Sequence, residues 1–178
     1  MAQTVMAIVG GLVGLGGLIF GLYQYAVAQK WKQAEFAAGQ LHRLNTEPEL
    51  YTCCLMLDWR EREIVVPERL RVRPDEERLH HSCENLREAM RPETEKHEFT
   101  WEEAICRELF DVFFTYLENI NHFLDIGLIR RRHVAALRYW LEQVAQPRHC
   151  EEPVFEGFLK HYEYTGVLEL MDRLGVSR

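Results

Sequence analysis

The first 29 residues contain no charged side chain, and apolar or small residues dominate them. This stretch is longer than the roughly 20 residues that cross a ~30 Å hydrocarbon core, where only a helix satisfies its own backbone. Tyr23 and Tyr25 lie near its end, and Lys30, Trp31 and Lys32 follow it. Aromatic and basic residues at this position are typical of a membrane interface with the cytoplasm downstream. A cleaved signal peptide fits less well, because no basic region precedes the apolar one. Residues 1–29 are therefore predicted to form a transmembrane helix in the bacterial inner membrane, with the N-terminus outside.

Small residues recur in this segment at spacings of three and four, which places them on one face of a helix. The face consists of Ala7, Gly10, Gly14, Gly17 and Gly21, and it continues to Gln24. Glycine costs helix stability, up to ~1 kcal/mol relative to alanine, so this many glycines need a reason. Small residues let membrane helices approach closely, which predicts a homo-oligomer with Gln24 facing any enclosed lumen. The alternative is that the glycines are ordinary membrane-helix composition.

The strongest helical period in the rest of the chain lies between residues 101 and 126. Thr100 and Glu103 form a capping-box pattern before it, and Gly127 is a plausible end. Its apolar stripe contains Trp101, Ile105, Leu109, Val112, Phe113, Tyr116, Leu117, Ile120, Phe123, Leu124 and Ile126. A stripe of this width predicts the core helix of a compact domain.

Weaker patterns complete an all-α fold with at most one small β-hairpin. The membrane helix is expected to continue over residues 30–44, and residues 45–178 are expected to form a cytoplasmic helical domain. A capping box at Thr46 and Glu49 predicts the next helix, to about Leu57. The predicted hairpin uses the apolar runs 64–66 and 70–72. Further helices are predicted over 74–90, 131–146 and from 153 to 174, the last with a break near 165–166.

All 21 basic and 28 acidic residues follow the apolar segment, and the net charge is −7. This balance disfavours broad binding to a phosphate backbone, so no DNA partner is expected. The five cysteines show no paired spacing, and an odd number suits a reducing cytoplasm. No cofactor motif is present.

Two clusters invite a metal-site interpretation. The polar face of the core helix carries Glu108, Asp111, Thr115, Glu118, His122 and Asp125, but its spacing does not match the usual Glu-x-x-His pair of helical metal sites. A zinc site could draw on His80, Cys83, His149 and Cys150, but structural zinc needs four convergent ligands and no Cys-x-x-Cys is present. We therefore expect a solvated helix face and no metal.

Two Arg and His pairs have the separation found in helical nucleases of the HEPN type: Arg73 with His80, and Arg91 with His97. Such a pair positions and protonates a ribose-phosphate. Both pairs lie at predicted helix edges among proline and glutamate. A non-enzymatic protein is the first expectation, and ribonuclease activity is the alternative.

A local basic patch stands out in the acidic domain: Arg130, Arg131, Arg132 and His133, with Arg138 following. It could contact anionic lipid headgroups, an acidic protein or RNA. The alternative is a solvated surface with local salt bridges.

The segment Leu55-Met56-Leu57-Asp58-Trp59, the helix over 101–127 and the segment Tyr139-Trp140-Leu141 resemble a family of uncharacterised bacterial membrane-anchored helical proteins. In size and layout the chain is also similar to the membrane accessory proteins of type VI-B CRISPR systems. That resemblance implies a membrane helix joined to a divergent HEPN-like domain and an oligomeric pore. The resulting hypothesis is a single-pass, homo-oligomeric defence effector. The alternative is a membrane-tethered HEPN-like domain that binds or cleaves RNA.

Overall fold

The computed structural model describes residues 2–71, 77–95 and 98–177, without the side chains of residues 2–5, 7–9 and 12–13. The chain divides into two compact units, Met1–Phe36 and Ala37–Arg178. The described residues are mostly helical, with one two-stranded antiparallel sheet. The predicted all-α class with a small hairpin is confirmed in this coarse form.

Helix α1 runs over Ala2–Thr46. The side chains described between residues 14 and 26 are exposed, including the apolar Leu15, Leu18, Ile19, Phe20 and Leu22. Within the side chains that the structure describes, no helix has an apolar run that meets the length and hydropathy of a membrane span.

The second unit consists of short elements around one long helix. The helices are α2 (Pro48–Asp58), α3 (Cys83–Ala89), α4 (Trp101–Asp125), α5 (Arg138–Ala145), α6 (Glu156–His161) and α7 (Thr165–Leu174). The strands β1 (Glu61–Val65) and β2 (Arg78–Ser82) pair antiparallel, with Glu63 opposite His80. Three 3₁₀ turns lie at Glu68–Leu70, Arg131–His133 and Ala135–Leu137.

Helix α4 is the predicted core helix, and its capping box is confirmed. The Thr100 backbone N–H donates to Glu103 Oε2 at 2.8 Å, and the Glu103 N–H donates to Thr100 Oγ1 at 3.3 Å. The buried face of α4 presents Phe110, Phe113 and Phe114. The Phe110 ring lies 4.7 Å from that of Phe155, and the Phe114 ring lies 5.9 Å from that of Phe158. This aromatic cluster is the centre of the core, because rings at such distances add specific contacts to their large buried area.

Arg107 ties three helices together at the edge of this cluster. Its Nη1 donates to the carbonyls of Ala89 at 2.7 Å and Arg91 at 2.9 Å, and its Nη2 donates to the hydroxyl of Tyr162 at 2.7 Å. The last carbonyls of a helix have no partner within the helix, so this guanidinium caps the C-terminal end of α3. It also lies 4.4 Å from the centre of the Phe99 ring.

The predicted cap at Thr46 is wrong. Thr46 belongs to α1, and its hydroxyl donates to the carbonyl of His42 at 3.1 Å. Glu47 occupies the N-cap of α2, but its side chain accepts from Arg43 and does not cap a backbone N–H of α2. The threonine hydroxyl is taken by the preceding helix, which is the usual competitor for this side chain.

The second strand of the hairpin was predicted in the wrong place. Residues 68–70 form a 3₁₀ turn, and the partner of β1 is β2, within the stretch predicted as a helix over 74–90. In β2 the buried Leu79 and His81 alternate with the exposed Arg78 and His80. The alternation of buried and exposed positions was not recognised in the sequence, because two of the positions are histidines and histidine is neither clearly apolar nor clearly polar.

The helix predicted over 131–146 also differs from the structure. Its first part forms two 3₁₀ turns, and α5 begins only at Arg138. Val134 and Leu137 are both buried, and a separation of three suits the 3₁₀ period. The basic patch therefore lies on a turn and not at the N-terminus of an α-helix.

Replacing Phe114 with alanine is expected to lower the free energy of unfolding by about 3–5 kcal/mol, the usual cost of removing a buried phenyl ring. Chemical denaturation followed by circular dichroism measures this change. Tyr51→Ala is the matched control, because Tyr51 is an exposed aromatic residue on α2. Equal losses in the two variants would contradict the assigned core.

Candidate functional site

The glycine face of α1 has no partner within the described chain. A methyl group placed on Gly10, Gly14, Gly17 or Gly21 would meet no heavy atom of the described residues within 4 Å. The side chain of Ala7 lies outside the described residues, and Gln24 is exposed. Packing within the monomer therefore does not explain these glycines.

The basic patch lies on a tight segment that we call the arginine turn, residues 126–133. Its backbone N–H groups at Ile126 and Leu128 donate to the carbonyls of His122 and Phe123, at 3.1 and 3.0 Å. Gly127 adopts a φ of +71°, a conformation that favours glycine. The turn is thus a defined structure, held by the carbonyls at the end of α4.

The three arginines of this turn are exposed, and none of them forms an ion pair with a described residue. Arg138 differs, because its Nε donates to Glu142 Oε1 at 2.8 Å. Slight desolvation lowers the pKa of His133, and the neighbouring charges of Arg132 and Arg130 lower it further. The Arg132 Nε donates to His133 Nε2 at 3.3 Å. The predicted patch is therefore a cluster of three guanidinium groups without a described counter-ion, whereas Arg138 has one in Glu142.

The predicted nuclease pairs stay untested, because Arg73 and His97 lie outside the described residues. His80 lies on β2, where its Nδ1 is 3.1 Å from Glu63 Oε1 across the strand pair. The Arg91 Nη2 lies 3.0 Å from Glu88 Oε1. The two described members of these pairs are therefore each engaged with a carboxylate.

The polar face of α4 was expected to be solvated, and five of its six residues are exposed, while Glu118 is half-buried. Some of these side chains also contact the C-terminal part of the chain. Glu118 Oε1 accepts a hydrogen bond from the backbone N–H of Gly166 at 3.2 Å. A Cβ on Gly166 would lie 3.2 Å from that oxygen, so glycine permits the close approach of α4 and α7. The carboxylate of Asp125 pairs with Arg173. Two of the six residues of the predicted polar stripe therefore bond to α7.

Asp111, on the same face, accepts a hydrogen bond from the hydroxyl of Tyr164 at 3.0 Å. Partial desolvation by the surrounding protein raises the pKa of the Asp111 carboxyl, and the Tyr164 hydrogen bond opposes this shift. Glu108, Thr115 and Asp111 line an open cleft of about 310 Å³.

The two guanidinium groups that line this cleft are both neutralised. Arg43 donates to Glu47, and Arg69 pairs with Glu49. Sequence reasoning missed this cleft because its residues come from distant segments. Its paired charges favour a structural role over anion binding.

Cys83 and Cys150 form a disulfide, which corrects the expectation drawn from the cysteine spacing. Their separation of 67 residues concealed the pairing. Cys53, Cys54 and Cys106 are buried free thiols. Disulfides are typical of oxidising compartments, so the cysteines no longer support a reducing one.

The disulfide joins two of the four residues considered for zinc, Cys83 and Cys150, and the other two are His80 and His149. His149 lines an open pocket of about 270 Å³ next to the disulfide, together with Arg60 and Arg87. His80 does not line this pocket and faces Glu63 instead. Among the described residues, no group of three or more His, Cys, Asp or Glu side chains could hold a metal ion.

His81 is a buried titratable group that sequence reasoning missed. Its Nε2 lies 3.0 Å from the carbonyl oxygen of Trp59, and no described group bonds its Nδ1. Desolvation lowers the pKa of His81, and the carbonyl contact opposes this. An alternation of apolar positions through Leu79 and His81 could have identified it as a core residue.

No protein-family model, curated protein or solved structure matches this chain. Among the described residues, the glycine face of α1 and the arginine turn are surfaces that internal packing does not explain.

The stability of the domain is expected to fall as the pH decreases through about 6.5, the ordinary histidine pKa. Because the folded pKa of His81 is lower, the unfolded state binds the proton first, and the slope approaches ~1.4 kcal/mol per pH unit between the two values. His81→Gln removes the titrating group and should flatten this part of the profile. Parallel profiles in denaturant titrations of the two proteins would contradict the assignment.

Loss of the disulfide is expected to lower the free energy of unfolding by about 2–4 kcal/mol, because the bond closes a long loop. A reductant should lower the melting temperature of the wild type but not that of a Cys83→Ser, Cys150→Ser variant. Thiol titration of the denatured, unreduced protein should find three free thiols. A result of five would exclude the bond.

Proposed function

We propose that this chain is a single-pass membrane protein that self-associates through the glycine face of α1. The observation that carries the proposal is the absence of any neighbour within 4 Å of the four glycines among the described residues. The apolar surface around them is equally uncovered. The segment needs an environment that the described part of its own chain does not supply.

A bilayer supplies the first part of that environment. Residues 2–29 contain no charge, and Leu15, Leu18, Ile19 and Phe20 are all exposed. Covering such a side chain is worth about 1.5–3 kcal/mol. Leu15, Leu18 and Ile19 share one face of the helix by their spacing, and Phe20 lies on another. Exposed apolar side chains on more than one face favour insertion into lipid over docking of one face on a protein.

A second copy of the helix supplies the other part. Lipid tails do not drive helices together, so association in a membrane depends on close backbone packing. The glycine face permits such packing, and its spacing of three and four suits a left-handed crossing. Every copy presents the same face, which makes a symmetric homo-oligomer the natural product.

The flanking residues Lys30 and Lys32 favour a cytoplasmic location for the second unit. The Cys83–Cys150 disulfide within that unit argues the other way, because such bonds are typical of oxidising compartments. In a ring of copies Gln24 would be the polar residue of the glycine face available to a lumen. A membrane pore that acts as a defence effector is the function that this arrangement would serve. The resemblance to pore-forming CRISPR accessory proteins supports this extension.

Replacing Gly14 and Gly17 with leucine is expected to reduce the oligomer to smaller species, because the new side chains separate the helix backbones. Native mass spectrometry of the full chain in detergent measures the copy number directly. The matched control is Gly11→Leu, Gly16→Leu, which makes the same change on other faces of α1.

The control should keep the wild-type copy number. An unchanged copy number in the Gly14 and Gly17 variant would contradict the proposed interface. Equal loss in both double variants would show that helix propensity, and not a face, decides the assembly.

A further inference from the structure

We propose that the arginine turn docks on the surface of an anionic lipid bilayer. The side chains of Ile126 and Leu128 enter the interfacial region, and Arg130, Arg131 and Arg132 bind headgroup phosphates. This contact would add to the membrane helix proposed above, but it does not require that helix to be correct.

The apolar part of the surface is built by the fold. Ile126 is 59% exposed and Leu128 is 38% exposed, although both belong to an ordered segment. Ile129, the next residue, is buried and anchors the turn to the core. The backbone hydrogen bonds to the end of α4 fix the turn before it binds, so little conformational entropy is lost on docking. The fold thus holds two aliphatic side chains in solvent on a preformed support.

The charged part lies directly beside these side chains. Residues 126–141 contain no aspartate or glutamate, although the chain as a whole has a net charge of −7. The preceding carboxylate, Asp125, is paired with Arg173. Each arginine near an anionic leaflet adds to the attraction, so three groups without a described counter-ion attract such a surface together.

The combination favours lipid over RNA. Sequence-tolerant binding of single-stranded RNA uses aromatic side chains on which the bases stack. The exposed partners of these arginines are aliphatic, and they suit the boundary between headgroups and acyl chains. Tyr139, the nearest exposed aromatic residue in sequence, donates its hydroxyl to Asp58 and has the Arg148 guanidinium 5.1 Å from its ring centre. It is therefore already engaged.

A fluorescent label on Leu128→Cys tests the docking in the full chain. The native cysteines are either buried or in the disulfide, so the introduced thiol is the accessible one among the described residues. The labelled protein is placed in nanodiscs of phosphatidylcholine with phosphatidylglycerol, or of phosphatidylcholine alone. Brominated lipids of each composition then quench any label that reaches the acyl chains.

We expect quenching of the label at residue 128 in the anionic nanodiscs and a marked loss of it in the zwitterionic ones. The same label on Ala104→Cys, an exposed site at the start of α4, is expected to stay unquenched. Changing all three turn arginines to glutamine should reduce quenching at residue 128 to the level of the Ala104 control. Arg138→Gln should leave it unchanged, because that arginine is paired with Glu142.

Absence of quenching at residue 128 in anionic nanodiscs would overturn the proposal, as would equal quenching at residue 104. Quenching that survives removal of the arginines would also overturn it. Retarded migration of RNA by the wild type, lost in the triple variant and without lipid quenching, would assign the turn to RNA instead. If the chain does not insert into nanodiscs, the same label reports whether the arginine turn binds added vesicles. The proposed membrane helix and the proposed docking of the turn are thus tested independently.

Discussion

The domain depends on the row of phenyl rings that α4 presents on its buried face. The rings of Phe110, Phe113 and Phe114 contact one another, and those of Phe110 and Phe114 also contact the ring of Phe155. Arg107, one turn earlier, carries a charge into the edge of this cluster, with its side chain 12% exposed. A charge in that position is tolerated because two carbonyls and a hydroxyl accept from it. The apolar cluster thus supplies the driving force, and the arginine fixes how the end of α3 and Tyr162 meet α4.

The polar face of the same helix shows why a list of chemically suggestive residues is a weak guide to function in a small helical domain. Asp111, Glu118 and Asp125 lie on one face of α4, but each accepts a hydrogen bond from the segment between Tyr164 and Arg173. These bonds satisfy buried or half-buried donors and orient α7. Carboxylates used in this way are part of the packing, which leaves the functional candidates at surfaces where the fold provides no partner.

The glycine face and the arginine turn are such surfaces, and a different kind of contact is missing at each. Gly14 and Gly17 have open space where a neighbouring backbone would fit. Arg130, Arg131 and Arg132 have no described counter-ion, and Ile126 beside them has no apolar cover. The proposed membrane would supply both missing contacts, because its core is an apolar medium for a helix and its headgroups are an anionic interface for a basic turn.

The sequence by itself determined the elements whose signals are local. Helix geometry repeats within a few residues, so three features can be recognised in the sequence alone: the capping box at Thr100, the long apolar stripe of α4 and the glycine spacing of α1. The tertiary structure decided what depends on distant partners. It paired β1 with residues 78–82, joined Cys83 to Cys150 and assigned Thr46 to the preceding helix. Those outcomes depend on which segments meet in space, and contacts between residues far apart in the chain leave no periodic trace in a single sequence.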